Sequence, residues 1–165
     1  MGMKVFLIGY MASGKSSLGK ALAEAMTLPF IDLDTEIERI SNASITSIIE
    51  HQGELKFRQL ESNVLKQTIA EKEHGVFALG GGTPVFYNHM ELLNAEGETI
   101  FLDVPVGELA RRLEGDIERP LIHNKEDVAE FVAKHMFERR PYYSQAKHRI
   151  SGASISVEEL TAVLN

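Results

Sequence analysis

The chain has no cysteine among its 165 residues, which excludes disulfides, thiolate zinc sites and a cysteine nucleophile. Its 6 histidines are scattered and none forms a His-x-x-x-His pair, so solvated or packed histidines are expected. No apolar run approaches the length of a membrane span. The apolar start Val5-Phe6-Leu7-Ile8 is too short for a signal peptide. Met1-Gly2 does not open a myristoylation signal, because Phe6 stands where Ser or Thr is required. A broad basic face is lacking as well. The net charge is −7, whereas phosphate backbones are held by clustered Lys and Arg. These absences point to a cytoplasmic protein with neither nucleic acid nor membrane as partner, and a monomer is expected. No internal repeat or low-complexity segment is present. One domain over residues 1–165 is the natural reading, long enough to close a core.

What is present is organised around Gly9-Tyr10-Met11-Ala12-Ser13-Gly14-Lys15-Ser16. An apolar run precedes it. Leu18, Ala21, Leu22, Ala25 and Met26 follow at helical steps. Strand, glycine-rich turn and helix are the context that a phosphate-binding P-loop needs. Glycines let the backbone curl so that N–H groups point at phosphate oxygens, and the helix N-terminus adds partial positive charge. Gly9, Ala12, Ser13, Gly14, Lys15, Ser16 and Ser17 are therefore the candidate nucleotide-binding residues. Lys15 is expected on the β- and γ-phosphates of ATP, and the Ser16 hydroxyl on Mg²⁺.

Further along, Phe30-Ile31-Asp32-Leu33-Asp34 reads as a short buried strand ending in carboxylates. Helical patterns follow through Ile37 and Ile40, then Ile45, Ile48 and Ile49, and a longer helix is predicted from Glu54 to about Ala70. Val76-Phe77-Ala78-Leu79 is a strand that runs into Gly80-Gly81-Gly82. Helices near Asn88–Ala95 and Val106–Leu113 flank the strand Thr99-Ile100-Phe101-Leu102-Asp103. Glu114 to Asn124 is polar and broken by Gly115 and Pro120, which suggests a mobile surface segment. A helix from Glu126 to Arg140, ended by Pro141, precedes a strand around Arg149-Ile150 and a closing helix from Val157. Strands alternating with helices predict a parallel sheet covered on both faces, with ligands at the carboxyl ends of its strands. Gly9, Asp32, Asp34 and Gly80 should then share one edge.

Asp32 and Asp34 have a bland use, with Asp34 capping a helix that starts near Thr35. Beside a nucleotide they gain a specific one: one carboxylate orients Mg²⁺ and the other accepts the proton of an attacking hydroxyl. Asp103, after four residues of strand, competes with Asp32 as the magnesium residue, and the residues alone do not choose between them. Arg139 continues the apolar stripe Val128, Phe131, Val132 and Met136, and Arg58 borders the stripe of its own helix. A buried guanidinium needs an anionic partner. Glu61 is available to Arg58 at the i,i+3 spacing, and an anionic ligand competes with such internal pairing. The glycine run at 80–82 is either a turn or a backbone that must approach a ligand closely. Arg119, with Arg111 and Arg112 upstream, brackets the polar segment and is either solvated or able to close on a transferring phosphate. Asn124-Lys125-Glu126-Asp127 fits a guanine-selecting pattern, but no Asp-x-x-Gly switch exists in the chain, which favours a helix start there.

Together these segments resemble the shikimate kinases. The P-loop, Asp32-x-Asp34, Phe57-Arg58-x-x-Glu61, Gly80-Gly81-Gly82, Arg119-Pro120-Leu121 and Arg139-x-x-x-Tyr143 stand in that family's order and approximate spacing. The resemblance implies a three-layer αβα sandwich of the P-loop kinase type, with a five-stranded parallel sheet and a mobile lid at about 113–124. It implies transfer of the ATP γ-phosphate to the 3-hydroxyl of shikimate, on the way to chorismate and aromatic amino acids. Arg58 and Arg139 would hold the shikimate carboxylate. Asp34 would bind its hydroxyls and serve as proton acceptor, and Gly80, Gly81 and Gly82 would border the ring. Asp32 would sit near Mg²⁺ in preference to Asp103, Arg119 would reach the phosphates, and Arg112 would lie against adenine. Two departures stand out. Ala12 replaces a usual second loop glycine, which suits alanine only if that backbone needs no positive φ. Ser151-Gly152-Ala153-Ser154 lacks the Arg and Pro that some members place on adenine, so no adenine contact is expected there. Another small-molecule P-loop kinase, such as one for gluconate, and a nucleotide-dependent regulatory switch are the competing functions.

Overall fold

The run Lys4–Ile8 forms strand β1, and its place in the sheet accounts for its composition. In the computed structural model, which describes residues 2–115 and 128–165, β1 is the middle strand of a five-stranded sheet. Both of its faces are covered, so Val5 to Ile8 are all buried and all apolar, without alternation. The other strands are β2 (Phe30–Asp32), β3 (Gly75–Ala78), β4 (Glu98–Asp103) and β5 (His148–Ser151), in the order β2-β3-β1-β4-β5. Every pairing is parallel, with Leu7 opposite Ala78 and Ile8 opposite Phe101.

The helices are α1 (Lys15–Met26), α2 (Leu33–Ser41), α3 (Ile45–Gln52), α4 (Glu54–Glu71), α5 (His89–Glu96), α6 (Val106–Glu114), α7 (Val128–Tyr143) and α8 (Val157–Leu164), with a short 3₁₀ turn at Thr83–Val85. The period-two alternation of β1 divides the core between two layers. Val5 and Leu7 join Leu22 of α1 and Leu160 of α8 on one face. Phe6 and Ile8 face the other way, into a larger cluster with Ile37, Phe57, Leu65, Leu109 and Val132. After β3 the chain crosses β1 to lay down β4 on its far side. The strand order therefore reverses around β1, and this opens a crevice at the carboxyl end of that strand.

Several expectations are corrected here. The β2 strand stops at Asp32, so Asp34 lies in the first turn of α2. The capping residue is Asp32, whose side chain accepts from Thr35 N, and Asp34 is left uncommitted as a cap. Pro141 does not end α7, which runs on to Tyr143. Phe137 and Pro141 are both exposed, so water can serve the carbonyl that the missing proline N–H leaves unpaired. Phe131, expected on the buried stripe, is 37% exposed, while Val128, Val132 and Met136 are buried. The helix start at Glu126, the Asn124–Asp127 pattern, Arg119 and nearly all of the expected lid lie outside the described residues.

Candidate active site

Gly9, Asp32, Asp34 and Gly80 do converge on one edge of the sheet. A cavity of about 240 Å³ opens there, lined by Gly14, Lys15, Ser16 and Ser17 of the loop, by Asp32 and Asp34, and by Gly80 and Gly81 after β3. The loop is shaped by backbone. Ala12 and Gly14 take φ of 67° and 97°. The condition set for alanine at position 12 is therefore not met, since this residue does occupy the left-handed region, at a cost of about 1–2 kcal/mol. Lys15 Nζ donates to the carbonyls of Gly9 at 2.7 Å and Tyr10 at 2.9 Å. Ser16 Oγ donates to Asp32 Oδ2 at 2.9 Å.

This geometry suits a polyphosphate and its cation. The buried Ser13 Oγ has no hydrogen-bond partner among the described residues. A Cβ built on Gly9 would stand 2.8 Å from that oxygen and 3.0 Å from the Leu102 carbonyl, so glycine gives the loop room there. Ser16 and Asp32 offer two oxygen ligands side by side, and Mg²⁺ commonly keeps several waters beside so few protein donors. No cluster of three or more His, Asp or Glu that could enclose a metal exists among the described residues. Asp103, the rival magnesium residue, is already engaged. Arg140 grips both its oxygens at 2.9 and 3.1 Å, and Arg149 Nε donates to one of them at 2.8 Å. Burial works to raise its pKa, but these hydrogen bonds and charges outweigh burial and lower it. Its carboxylate ties β4 to α7 and β5.

The glycine run explains how the other charges reach the cavity. None of Gly80, Gly81 and Gly82 has a positive φ, so turn formation is not what requires them. Each is approached by a charged side chain instead. A Cβ on Gly80 would lie 3.2 Å from Asp34 Oδ1, one on Gly81 2.9 Å from Arg139 Nη1, and one on Gly82 2.5 Å from Arg58 Nη2. The same Gly81 position is 3.4 Å from Met11 N of the phosphate loop, so Arg139 stands where the loop and the glycine run meet. Arg139 thus packs against Gly81, which lines the cavity, and Arg58 against Gly82, the next residue along.

Arg58 is held by α4 and by what lies behind it. Its Nη1 donates to Glu61 Oε1 at 3.0 Å, the internal pair that the spacing offered, and the guanidinium lies 5.1 Å from the Phe57 ring centroid and 4.4 Å from that of Phe86. Glu61 is 1% exposed and also accepts from Thr83 Oγ1 at 2.8 Å. His89, fully buried, bonds the Thr83 carbonyl through Nδ1 and Ser62 Oγ through Nε2. Burial lowers its pKa, so it stays neutral, with the proton on the nitrogen facing the carbonyl. Arg58 Nε is buried without a hydrogen-bond partner among the described residues.

Asp34 has the electrostatics of a base. Burial, then the negative charges of Asp32 and Glu61, push its pKa up to about 6 against the pull of Lys15. Sequence reasoning missed the contacts that join the loop to α7. Tyr10, 1% exposed, has its hydroxyl 2.9 Å from His135 Nδ1, and Arg139 lies over its ring at 5.7 Å. Tyr143 OH donates to the Gly81 carbonyl at 2.6 Å. The i,i+4 spacing of His135 and Arg139 was visible, but nothing in the sequence says that a loop tyrosine lies beneath them. Arg112 donates to the carbonyls of Ala12 and Ala153, both at 2.8 Å, so the 151–154 segment does approach the nucleotide loop, through its backbone.

Comparison with known proteins agrees with this geometry. The sequence model of the family "Shikimate kinase" matches residues 11–164. A shikimate kinase of Phocaeicola vulgatus is 45% identical over 148 residues, which is 88% of this chain and 84% of that protein. The crystal structure of the Bacteroides thetaiotaomicron shikimate kinase superposes with a TM-score of 0.92 at 34% identity, covering 98% of both chains. A solved structure of the Acinetobacter baumannii shikimate kinase in complex with shikimate gives 0.87 at 31% identity, over 99% of this chain and 91% of the other.

Proposed function

The chain belongs to the shikimate kinase family, and on that premise we propose that it transfers the γ-phosphoryl group of ATP to the 3-hydroxyl of shikimate. The observation that best supports this reading is the meeting of Asp34, Arg139 and Arg58 along three glycines, in front of the loop that carries Lys15. Phosphoryl transfer asks for positioning and charge neutralisation more than for covalent help. Shikimate offers one carboxylate and several hydroxyls. The fork geometry of Arg58 and Arg139 suits the carboxylate, and Asp34 suits the hydroxyls.

In this reading the loop amides, Lys15, Ser13 and Ser17 hold the triphosphate. Ser16 and Asp32 would hold Mg²⁺, which when bound would neutralise phosphate charge. Asp34, ionised at neutral pH but with a pKa raised to about 6, takes the proton of the attacking hydroxyl. Glu61 keeps Arg58 aimed and offsets part of its charge. The role of Arg119 on the phosphates is proposed from the family resemblance alone. A single-domain monomer acting in the cytoplasm without nucleic acid or membrane completes the proposal. No helix among the described residues is long and apolar enough to cross a membrane.

The deciding experiment is ADP release from ATP–Mg²⁺ with and without shikimate, the product being identified by mass. ADP release that depends on shikimate and yields a singly phosphorylated acceptor is expected. Release that is indifferent to shikimate, or a response to gluconate instead, overturns the assignment.

A further inference from the structure

We propose that Arg112 is a positioning residue for the phosphate loop, and that its guanidinium holds Ala12 in the left-handed conformation the loop requires. This goes beyond the adenine contact that the resemblance suggests for Arg112, and it rests on the triphosphate reading above.

The loop alternates in hand. Ala12 and Gly14 have positive φ and Ser13 between them does not, and such alternation turns successive N–H groups toward one anion. Glycine adopts that conformation freely. Alanine does not, and unaided it would be depopulated by roughly five- to thirtyfold. A restraint is therefore needed at Ala12, and one is present. Arg112 Nη1 donates to the Ala12 carbonyl at 2.8 Å across 100 residues of sequence.

The guanidinium is itself fixed on its other edges. Nη2 donates to the Ala153 carbonyl at 2.8 Å and Nε to Glu108 Oε1 at 3.0 Å. Glu108, one turn back on α6, also accepts two hydrogen bonds from Arg111. Those arginine bonds pull its pKa down to about 2, so it remains an anion throughout the working range. One planar cation thereby joins α6, the 151–154 segment and the strained residue of the loop. A lysine could reach one of these carbonyls but not supply three directed donors.

Calorimetric titration of the full chain with Mg²⁺ tripolyphosphate, which has no base to stack, tests this. Wild type, Arg112→Met, Ala12→Gly and the double variant are compared, each checked for folding by thermal melting. Arg112→Met is expected to weaken tripolyphosphate binding by about fivefold or more. Part of that loss is simple charge and is shared by both backgrounds. The remainder should vanish with Ala12→Gly, so the loss in that background is expected to be at least threefold smaller. If Arg112→Met does not fold, Arg112→Lys replaces it, keeping the charge and losing the fork, with the same difference between backgrounds expected.

Equal losses in the two backgrounds overturn the proposal. So does a loss seen with ATP but not with tripolyphosphate, since Arg112 would then act on the base. Failure of the wild type to bind either ligand would instead sink the triphosphate reading itself.

Discussion

The loop from Gly9 to Ser16 makes its site from the backbone of consecutive residues, whereas the pocket beside Gly80–Gly82 borrows its charges from α2, α4 and α7. In the first, conformation is the working part: φ at Ala12 and Gly14 and the carbonyls that hold Lys15. In the second, the backbone has ordinary φ, and its contribution is to be bare enough for Asp34, Arg139 and Arg58 to come close. The two ends therefore fail differently. A lost side chain at the loop removes a charge from a scaffold that persists, while an added methyl at the glycine run displaces side chains that stand far away in sequence.

Mutations can break this contrast. The largest effect is expected from Lys15→Ala: transfer slowed by about 10²–10³-fold, as for loss of one strong electrostatic donor, with shikimate still bound. Steady-state turnover and separate acceptor titration check both halves. Next comes Arg58→Ala, or Arg139→Ala, with shikimate affinity lowered roughly thirtyfold or more from a loss of about 2–5 kcal/mol, and ATP binding nearly intact. Equal acceptor affinity in both variants would remove the assigned roles. Gly82→Ala should follow, since its Cβ would collide with the Arg58 guanidinium. A cost of about 1–3 kcal/mol, on the order of tenfold, is expected in shikimate affinity alone, and an ATP affinity that falls with it contradicts the division of the two ends.

The smallest effect concerns stability. The folded pKa of Asp34, about 6, lies above its unfolded value of 3.8, so its contribution favours folding below about pH 4 and is lost as pH rises through 6. At higher pH the ionised, half-buried carboxylate costs stability. Asp34→Asn should therefore melt later than wild type at about pH 8, by about 1–2 kcal/mol after allowing for solvent screening, with the gain gone below about pH 4. Thermal melts at the two pH values decide it, and an unchanged difference between them would show that the carboxylate is not strained.

The same contrast governs what could be read in the sequence. The loop and its flanking strand and helix were legible because the signal is local: a run of apolar residues, spaced glycines, then helical periodicity. Arg58 with Glu61 was legible for the same reason, one helical turn apart. Asp103 was misleading, since its competing partners Arg140 and Arg149 lie on elements that only the fold brings to the end of β4. The cap of α2 moved from Asp34 to Asp32 because the strand ended two residues early, and Asp32 marks that boundary by accepting from Thr35 N. The bonds of Tyr10 to His135 and of Arg112 to Ala12 span 125 and 100 residues, and no spacing rule reaches across such distances.

The bare backbone at 80–82 also bears on how the protein could be inhibited. A compound lying flat on that strip would touch peptide planes, which mutation cannot reshape without adding atoms. Any added atom pushes against Asp34, Arg139 or Arg58, so drug resistance arising at those three positions should carry its own loss of fitness.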